Sequence, residues 1–329
     1  MDAGGEAELI ARHFQSLGAA RADVLLGIGD DAALLRPQPG CELVQTTDVL
    51  IEGVHFLPGS PPRSLGHRAL AVNLSDLAAM GATPAWALLS LTLPAADDQW
   101  LAEFAAGFGA LARAHQVALV GGNLSRGPLG ITVLMSGQVG AGTALRRSTA
   151  RPGDELWISG TLGDAAAGLA LLRTAAQGTA PPGHAVDADD AYLRRRFEYP
   201  TPRLALGAAL RGVASACIDL SDGLLADLPR LAEASGCRAE LDVARLPLST
   251  PLQARCGAAA WERALVGGED YELCFAAPPV QQATLRALAA RLAVPLACCG
   301  RLQAGAGMTW LRGADVIQFS QSAFDHFQR

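Results

Sequence analysis

Lysine is missing from this sequence: all 26 residues counted as Lys plus Arg are arginine. A P-loop, the strand lysine of protein kinases and Schiff-base chemistry all need a lysine, so the composition excludes these three kinds of site. If the protein binds phosphate groups, then arginine side chains, backbone N–H groups and metal ions must hold them.

Cysteine pairs with zinc-ligand spacing are also missing. The seven cysteines include no Cys-x-x-Cys pair and no Cys/His cluster, and their number is odd. This pattern predicts free thiols in a reducing compartment. No apolar run approaches the roughly 18 residues of a membrane span, and the first residues are acidic where a signal peptide would be basic. We therefore expect a cytoplasmic protein that has no membrane partner.

Positive charge is scarce overall, since the net charge is -6 and the pI is near 5.5. Affinity for nucleic acid comes mainly from clustered basic residues, so we expect no nucleic-acid partner. With 329 residues, 50% of them hydrophobic and 18% charged, the chain is long enough for two globular domains.

The order of predicted helices and strands suggests where the two domains meet. Helical patterns cover residues 64–80, with Ser64 as the expected N-cap, and residues 97–115. Arg151–Asp154 is typical of a hinge, which divides the chain into domains 1–150 and 151–329. Beyond it, residues 177–191 are rich in Gly, Pro, Ala and Asp, and we expect a surface loop there.

The segment Gly27–Asp31 places two glycines before two adjacent carboxylates, between apolar residues on both sides. Two neighbouring negative charges repel each other and resist burial. Either the segment is a solvent-exposed turn, because Gly and Asp favour turns, or a cation binds the acids.

Four more acidic residues occupy positions where an isolated charge is unfavourable. Asp48 is in a strand pattern, and Asp76 is in the middle of an apolar helix. Asp219 interrupts an apolar strand, and Asp222 lies at the turn into the next helix. Carboxylates in a chain without lysine suit hard divalent ions such as Mg²⁺, which commonly bridges protein carboxylates to nucleotide phosphates. Binding of a metal-nucleotide complex is therefore a hypothesis at this point, because sequence alone does not bring these residues together.

Six motifs together resemble the thiamine-monophosphate kinase family, which belongs to the aminoimidazole-ribonucleotide synthetase superfamily. Their order and spacing match along nearly the whole chain. The motifs are Gly27–Asp31, Thr46–Asp48, Gly53–Phe56, Leu70–Gly81, Asp219–Gly223 and Gly267–Tyr271.

The resemblance implies a fold and a reaction. The fold would be α/β (α+β) with two domains, an N-terminal domain whose sheet pairs across a homodimer and a sandwich-like α/β C-terminal domain. The reaction would be Mg²⁺-dependent transfer of the ATP γ-phosphoryl group to thiamine monophosphate, which gives thiamine diphosphate and ADP. Several Mg²⁺ ions would take part, and nucleotide would bind near the subunit interface.

The resemblance also implies roles for individual residues. The implied metal ligands are Asp31, Thr46, Thr47, Asp48, Asp76, Asn123, Asp219 and Asp222. The implied ATP contacts are Gly122, Asn123, Arg147 and Ser221. The implied substrate contacts are His55, Glu269, Gln321 and Phe324. Asp30 is expected to be a turn residue or a neighbour of the ligands, and a structural role for His55 stays open.

Two positions depart from the family pattern. Asn123 stands where the pattern has Asp, which exchanges an anionic ligand for a neutral carbonyl and weakens one metal site. The aromatic expected to stack on substrate falls at Gln321, and Phe319 or Phe324 are the candidates to replace it.

The implied chemistry requires no acid or base from the protein, because the attacking phosphate oxygen is already ionised at neutral pH. Metal ions and Arg147 would stabilise direct in-line transfer. The alternatives are another ATP-dependent enzyme of the superfamily, such as selenophosphate synthetase, and a non-catalytic Mg-nucleotide-binding protein.

Overall fold

The computed structural model of the chain describes residues 5–179 and 187–319. These residues divide into two compact units. Unit 1 lies within Met1–Leu77 and Ala82–Gly142, and unit 2 lies within Ala78–Gly81 and Thr143–Arg329.

Unit 1 is built around a four-stranded sheet in the order β3-β6-β4-β5, beside a two-stranded β1-β2 sheet. The pairs β3-β6 and β6-β4 are antiparallel, and β4-β5 is parallel. The elements are α1 (Glu6–His13), β1 (Val24–Leu26), β2 (Leu34–Leu35), β3 (Cys41–Ile51), α2 (Pro62–Ala79), β4 (Thr83–Leu93), α3 (Asp98–Ala114), β5 (Ala118–Arg126) and β6 (Gly130–Gly140).

Helices α2 and α3 pack closely because glycine removes side chains at their contact. A Cβ on Gly66 of α2 would lie 2.1 Å from the Phe104 carbonyl oxygen, and one on Gly107 of α3 would lie 1.9 Å from that of Arg63. The Asp97 side chain accepts a hydrogen bond from the Trp100 N–H and caps α3. The predicted N-cap of α2 is wrong: the helix begins at Pro62, and Ser64 lies in its first turn with its hydroxyl donated to the Pro61 carbonyl.

The two faces of the four-stranded sheet differ in what covers them. Leu77 of α2 lies against Gly137 of β6, so α2 covers one face. On the opposite face Leu43, Val49 and Leu88 are 50%, 45% and 39% exposed. We call this second face the open face of unit 1.

Unit 2 contains a seven-stranded mixed sheet in the order β13-β12-β9-β11-β7-β10-β8, in which β12-β9 is the parallel pair. Its strands are β7 (Glu155–Ser159), β8 (Ala216–Leu220), β9 (Cys237–Asp242), β10 (Glu272–Ala277), β11 (Leu296–Ala304), β12 (Met308–Arg312) and β13 (Asp315–Ile317). Its helices are α4 (Asp164–Ala176), α5 (Ala188–Glu198), α6 (Leu204–Leu210), α7 (Leu224–Ala234), α8 (Thr250–Cys256), α9 (Ala260–Val266) and α10 (Gln282–Leu292), with short 3-10 helices at Val243–Arg245, Gly257–Ala259 and Pro279–Gln281.

Helix α5 begins inside the segment for which we predicted a loop. Asp187 accepts a hydrogen bond from the Asp190 N–H at 2.9 Å and caps the helix that starts at Ala188. The compositional argument missed this cap because Asp favours loops and helix N-termini alike.

Two exclusions made from the sequence can be compared with the structure. The seven cysteines are all free thiols, as predicted. Among residues 5–179 and 187–319, no helix combines the length and the apolar character needed to cross a membrane.

Candidate functional site

The Gly27–Asp31 segment is the loop between β1 and β2. Gly29 has φ +125°, a conformation that favours glycine, and the Asp31 N–H donates a hydrogen bond of 2.8 Å to the Asp30 carboxylate. Asp30 therefore stabilises the turn, and both Asp30 and Asp31 line a cavity.

This cavity has a volume of about 810 Å³ and lies within unit 1. Asp31 lines it together with Gly122 and Asn123 of β5, with Gln45 of β3 and with apolar side chains such as Leu88. The structure thus brings three of the predicted site residues to one cavity with a largely apolar wall. A cleft with a few polar groups on apolar walls is typical of a ligand site.

The Gly121–Gly122 pair allows a close strand contact. Gly122 has φ +151°, and a Cβ there would lie 1.8 Å from the Leu89 carbonyl oxygen of β4. Only glycine fits, so the backbone at this end of β5 lies directly beside β4 and is exposed toward the cavity.

The sheet separates the predicted ligands onto two faces. In strand register Asp48 lies beside Val133, while Val49 is in the same row as Thr132, Ser90 and Asn123. Side chains alternate along a strand, so Thr46 and Asp48 face α2, whereas Thr47 and Asn123 are on the open face.

Asp76 of α2 contacts the first of these faces directly. The Thr46 hydroxyl donates a hydrogen bond of 2.5 Å to the Asp76 carboxylate. Asn73 is fully buried one turn earlier and donates its amide N–H to the Ala69 carbonyl at 3.0 Å. Its side-chain oxygen has no hydrogen-bond partner among the described residues. This corner of unit 1 is therefore a small group of oxygen atoms in an apolar surrounding.

His55 follows β3 in a tight loop. Its Nδ1 accepts a hydrogen bond of 3.1 Å from the Ile51 N–H, which assigns the proton of the neutral ring to Nε2. The backbone contact fixes the ring orientation, and both a structural and a substrate-binding role are compatible with it.

In unit 2 the predicted ligands lie at the end of β8. Asp219 is a buried strand residue that pairs in register with Leu273 of β10, and Ser221 follows the strand. The Asp222 carboxylate accepts a hydrogen bond of 2.6 Å from Arg230 of α7. Arg230 also donates to Asp227 at 2.7 Å, and Asp227 accepts the Asp222 N–H at 3.0 Å.

Arg147 lies close to this acidic group. Burial raises the pKa of Asp227 to about 6, the charge of Asp222 adds to the increase, and Arg230 and Arg147 oppose it. The Arg147 carbonyl accepts the Ser235 hydroxyl at 2.6 Å, which holds its backbone at the end of α7. The Asp222–Arg230 region therefore combines carboxylates and arginines on one surface of unit 2.

A second loop, Gly267–Tyr271, packs against the first. The Glu269 N–H donates to the Ser221 carbonyl at 2.8 Å, and the Tyr271 N–H donates to that of Leu220 at 3.0 Å. A Cβ on Gly268 would lie 2.4 Å from the Ser221 carbonyl oxygen. The loop with Glu269 and the loop with Asp222 therefore form one hydrogen-bonded backbone assembly.

Glu269 and Tyr271 adopt backbone conformations that non-glycine residues rarely adopt, with φ +73° and φ +50°. A non-glycine residue in this conformation costs about 1–3 kcal/mol of conformational free energy, so contacts with neighbouring residues must stabilise it. The Tyr271 hydroxyl donates a hydrogen bond of 2.9 Å to the Glu269 carboxylate.

Asp270 points away from Glu269 and caps helix α4. Its carboxylate accepts the Gly163 N–H at 2.6 Å and the Ala165 N–H at 3.1 Å. The N-terminus of α4 favours a negative charge, and here that charge is the side chain of Asp270. Burial raises the pKa of Asp270 to about 7, although Arg196 and both N–H groups lower it.

A buried ion-pair network beside this cap was not predicted from the sequence. Glu272 of β10 is completely buried and accepts hydrogen bonds from Ser159 at 2.7 Å, Arg196 at 2.9 Å and the Arg203 Nε at 2.6 Å. The signal that could have found it is the one that found Asp219, an acid within an apolar strand.

The aromatic residue expected to stack on the substrate was predicted near the C-terminal end of the chain. Gln321 and Phe324 lie outside the described residues. The centroid of the Phe319 ring lies 6.0 Å from that of Trp261 and 5.9 Å from that of Trp310. Its ring therefore contributes to the core of unit 2.

Comparison with known proteins identifies the family. The model for AIR synthase related protein, N-terminal domain, matches residues 29–140, and the model for the C-terminal domain matches residues 151–310. The chain is 45% identical to the thiamine-monophosphate kinase of Salmonella typhimurium over 98% of both sequences. The chain belongs to the thiamine-monophosphate kinase family.

Solved structures of the thiamine-monophosphate kinase family share the fold. The enzyme from Stenotrophomonas maltophilia is 48% identical with a TM-score of 0.83, over 92% of this chain and 94% of that one. AaThiL complexed with AMPPCP and TMP is 34% identical with a TM-score of 0.78, over 91% and 92%. The resemblance and the two-domain mixed α/β fold predicted from the sequence are confirmed.

The predicted ligands suit Mg²⁺ in their chemistry. They offer carboxylate, hydroxyl and amide oxygens, and Thr46 and Asp76 are already in contact at 2.5 Å. Among the described residues, however, no group of three or more His, Cys, Asp or Glu side chains is placed to hold a metal ion. Among the described residues, the oxygen atoms that could bind Mg²⁺ therefore lie in small separate groups.

Proposed function

We propose that this protein is an ATP-dependent kinase that transfers the γ-phosphoryl group of ATP to the phosphate of thiamine monophosphate, giving thiamine diphosphate and ADP. The observation that carries the proposal is the 45% identity to a thiamine-monophosphate kinase over 98% of both sequences. The complex of AaThiL with AMPPCP, an ATP analogue, and TMP supports both substrates.

For the nucleotide, we propose contacts from Gly122, Asn123, Arg147 and Ser221. Exposed backbone at Gly122 can approach a phosphate closely, because no side chain intervenes. Arg147 is exposed and its charge acts on Asp227, and a guanidinium can donate two parallel hydrogen bonds to phosphate oxygens.

For thiamine monophosphate, we propose contacts from Glu269 and His55, and from Gln321 or Phe324 near the C-terminal end. A carboxylate at Glu269 suits the cationic thiazolium ring of thiamine. The His55 Nε2–H can donate to a polar group of the substrate, because Nδ1 already accepts the Ile51 N–H.

Mg²⁺ ions are the proposed cofactor, held by Asp31, Thr46, Thr47, Asp48, Asp76, Asn123, Asp219 and Asp222. When bound, Mg²⁺ supplies positive charge that allows two phosphate-bearing substrates to approach each other. Asn123 contributes a neutral oxygen where an Asp would contribute a charge, so we expect its site to be the weakest. Arg230 occupies one oxygen of the Asp222 carboxylate, so we propose that the other oxygen, Oδ1, acts as the ligand.

The chain itself then has a limited chemical task. The acceptor oxygen is ionised at neutral pH, so no residue has to remove a proton from it. Arg147 stabilises negative charge on the transferring phosphate, and the two loops of unit 2 orient the acceptor for in-line attack.

We also propose a homodimer in the cytoplasm, without membrane or nucleic-acid partners. The open face of unit 1 supports the dimer, since Leu43, Val49, Ile51 and Leu88 expose 39–50% of their surface. We assign metal and nucleotide binding and dimerisation to domain 1–150. Domain 151–329 would complete the ATP and substrate sites.

The test is incubation with ATP, MgCl₂ and thiamine monophosphate, followed by chromatography for ADP and thiamine diphosphate. We expect the two products in equal amounts, and none when EDTA exceeds the metal. Binding of AMPPCP without product formation would replace the kinase with a non-catalytic nucleotide-binding protein, the alternative that Asn123 favours. Product from ATP without thiamine monophosphate would point to another enzyme of the superfamily.

A further inference from the structure

The conformation of the Gly267–Tyr271 loop needs an external support. Glu269 and Tyr271 both have positive φ, at +73° and +50°, and Asp270 lies between them. Consecutive residues of this turn send their side chains in different directions. Asp270 is 2% exposed and is directed into unit 2, whereas Glu269 is half-buried and hydrogen-bonded to Tyr271.

The Asp270 carboxylate has both oxygens occupied. Its Oδ2 accepts the Gly163 N–H and its Oδ1 accepts the Ala165 N–H, at 2.6 and 3.1 Å. Gly163 cannot carry a side chain here, because a Cβ would lie 2.7 Å from the Ala264 nitrogen. The start of α4 thus holds the carboxylate through two backbone N–H groups, and burial of Asp270 keeps it from direct contact with a substrate in solution.

The charges around Asp270 come from two helices and one strand. Arg196 of α5 is the positive group, and Asp164 of α4 is a second acid whose carboxylate lies 3.7 Å from the Arg196 Nε. Glu272 of β10 accepts a hydrogen bond from the same arginine at 2.9 Å. Asp270 and Glu272 therefore anchor the loop on both sides of Tyr271.

We propose that Asp270 is a positioning residue for substrate binding. Its carboxylate binds the N-terminus of α4 and thereby fixes the positive-φ conformation of the turn. The turn in this conformation directs the Glu269 carboxylate toward thiamine monophosphate. The inference rests on the proposed function, and it assigns to Asp270 an effect that passes through Glu269 rather than through a contact with substrate.

The experiment is a double-mutant cycle on the full-length protein with Asp270→Asn, Glu269→Gln and the combined variant. The Asn amide places a donor against a backbone N–H, which removes one of the two hydrogen bonds. The dissociation constant of thiamine monophosphate is measured calorimetrically with Mg²⁺ and AMPPCP present. We expect Asp270→Asn to weaken binding about tenfold to a hundredfold, since a hydrogen bond to a charged group is lost and Glu269 moves.

The combined variant decides the inference. If Asp270 acts through Glu269, the double variant binds no more weakly than Glu269→Gln alone. If the loss of affinity in the double variant equals the product of the losses in the two single variants, the proposal is overturned. An equal loss in the affinity for AMPPCP alone would also overturn it, because a general structural defect affects both ligands.

Asp154→Asn is the matched control. Asp154 is also a buried acid of unit 2, 4% exposed, and it accepts the Arg151 N–H at 2.9 Å and the Ser215 hydroxyl at 2.5 Å. We expect this variant to be less stable but to bind thiamine monophosphate within about twofold of wild type, because it touches neither loop. An equal loss in the control would overturn the assignment.

A second variant covers the case that Asp270→Asn does not fold. Ala165→Pro keeps Asp270 and removes one of its N–H donors, and proline is tolerated in the first helical turn. The same selective loss is expected, and unchanged binding of thiamine monophosphate by the folded variant would contradict the proposal. If wild type binds thiamine monophosphate but forms no diphosphate, the proposed function fails while the cycle still tests Asp270.

Discussion

Removal of the Glu272 charge should destabilise the protein far more than removal of a comparable surface charge. Glu272 is completely buried and is shared by Arg196 and Arg203, whose side chains are 11% and 17% exposed. Glu272→Gln keeps the shape but removes the carboxylate that both arginines contact, and among the described residues Arg196 then keeps only the more distant Asp164 carboxylate at 3.7 Å as an ion-pair partner. Loss of one member of a buried pair costs about 3–5 kcal/mol.

The surface pair of Glu240 and Arg301 provides the control. Their atoms are 3.0 Å apart, but the Arg301 side chain is 63% exposed and well hydrated. Exposed pairs contribute about 0–1 kcal/mol, so Glu240→Gln should be nearly neutral. A domain is typically stable by about 5–15 kcal/mol, so the Glu272 change would remove a large share of the stability.

Urea unfolding followed by circular dichroism and tryptophan fluorescence measures the difference. Three of the five tryptophans, Trp157, Trp261 and Trp310, lie in unit 2, so most of the fluorescence signal comes from this unit. We expect a lower midpoint for Glu272→Gln at an unchanged slope. Equal midpoints for the Glu272 and Glu240 variants would refute the reasoning, because burial would then not change how much the charge contributes to the free energy of unfolding.

Three further predictions concern single positions. Because burial raises the pKa of Asp270 to about 7, the unfolded state releases its proton first as the pH rises. Between about pH 4 and pH 7 the Asp270 carboxyl is ionised in the unfolded state but protonated in the folded state. The free energy of unfolding therefore falls over this range, by up to roughly 4 kcal/mol. The free energy of unfolding of Asp270→Asn should vary less over this range, and parallel pH profiles would contradict this. Asp76→Asn should fold normally and lose most turnover, and near wild-type rates at saturating Mg²⁺ would exclude its proposed role in metal binding. Gly122→Ala should lose more than about 3 kcal/mol in thermal unfolding, because its Cβ would lie 1.8 Å from a carbonyl oxygen; Gly121→Ala, which meets only a Leu88 methyl group at 2.9 Å, is the milder control.

Local patterns in the sequence predicted the elements well where one periodicity dominates. The helix predicted over 97–115 is α3, Asp98–Ala114, and the helix predicted over 64–80 is α2, Pro62–Ala79. Two of the acids that the sequence places among apolar residues do lie in apolar surroundings in the structure. Asp219 is a buried strand residue, and Asp76 is in a buried helix, in contact with Thr46.

Long-range partners were beyond sequence reasoning. Glu272 finds Arg203 and Arg196 across 69 and 76 residues, and neither helical nor strand periodicity encodes that separation. The same holds for Asp270, whose partners Gly163 and Ala165 lie on another element. By contrast, the division of Thr46 and Thr47 between opposite sheet faces follows from strand alternation and could have been predicted.

The central claim is direct phosphoryl transfer to thiamine monophosphate, and a single-turnover reaction with γ-³²P-labelled ATP tests it most directly. The enzyme is present in excess, and samples quenched at short times are separated into protein and nucleotide fractions. We predict that label passes from ATP to thiamine diphosphate as ADP forms, with none on the protein at any time. Label trapped on the chain, or ADP formed without labelled thiamine diphosphate, would contradict the account.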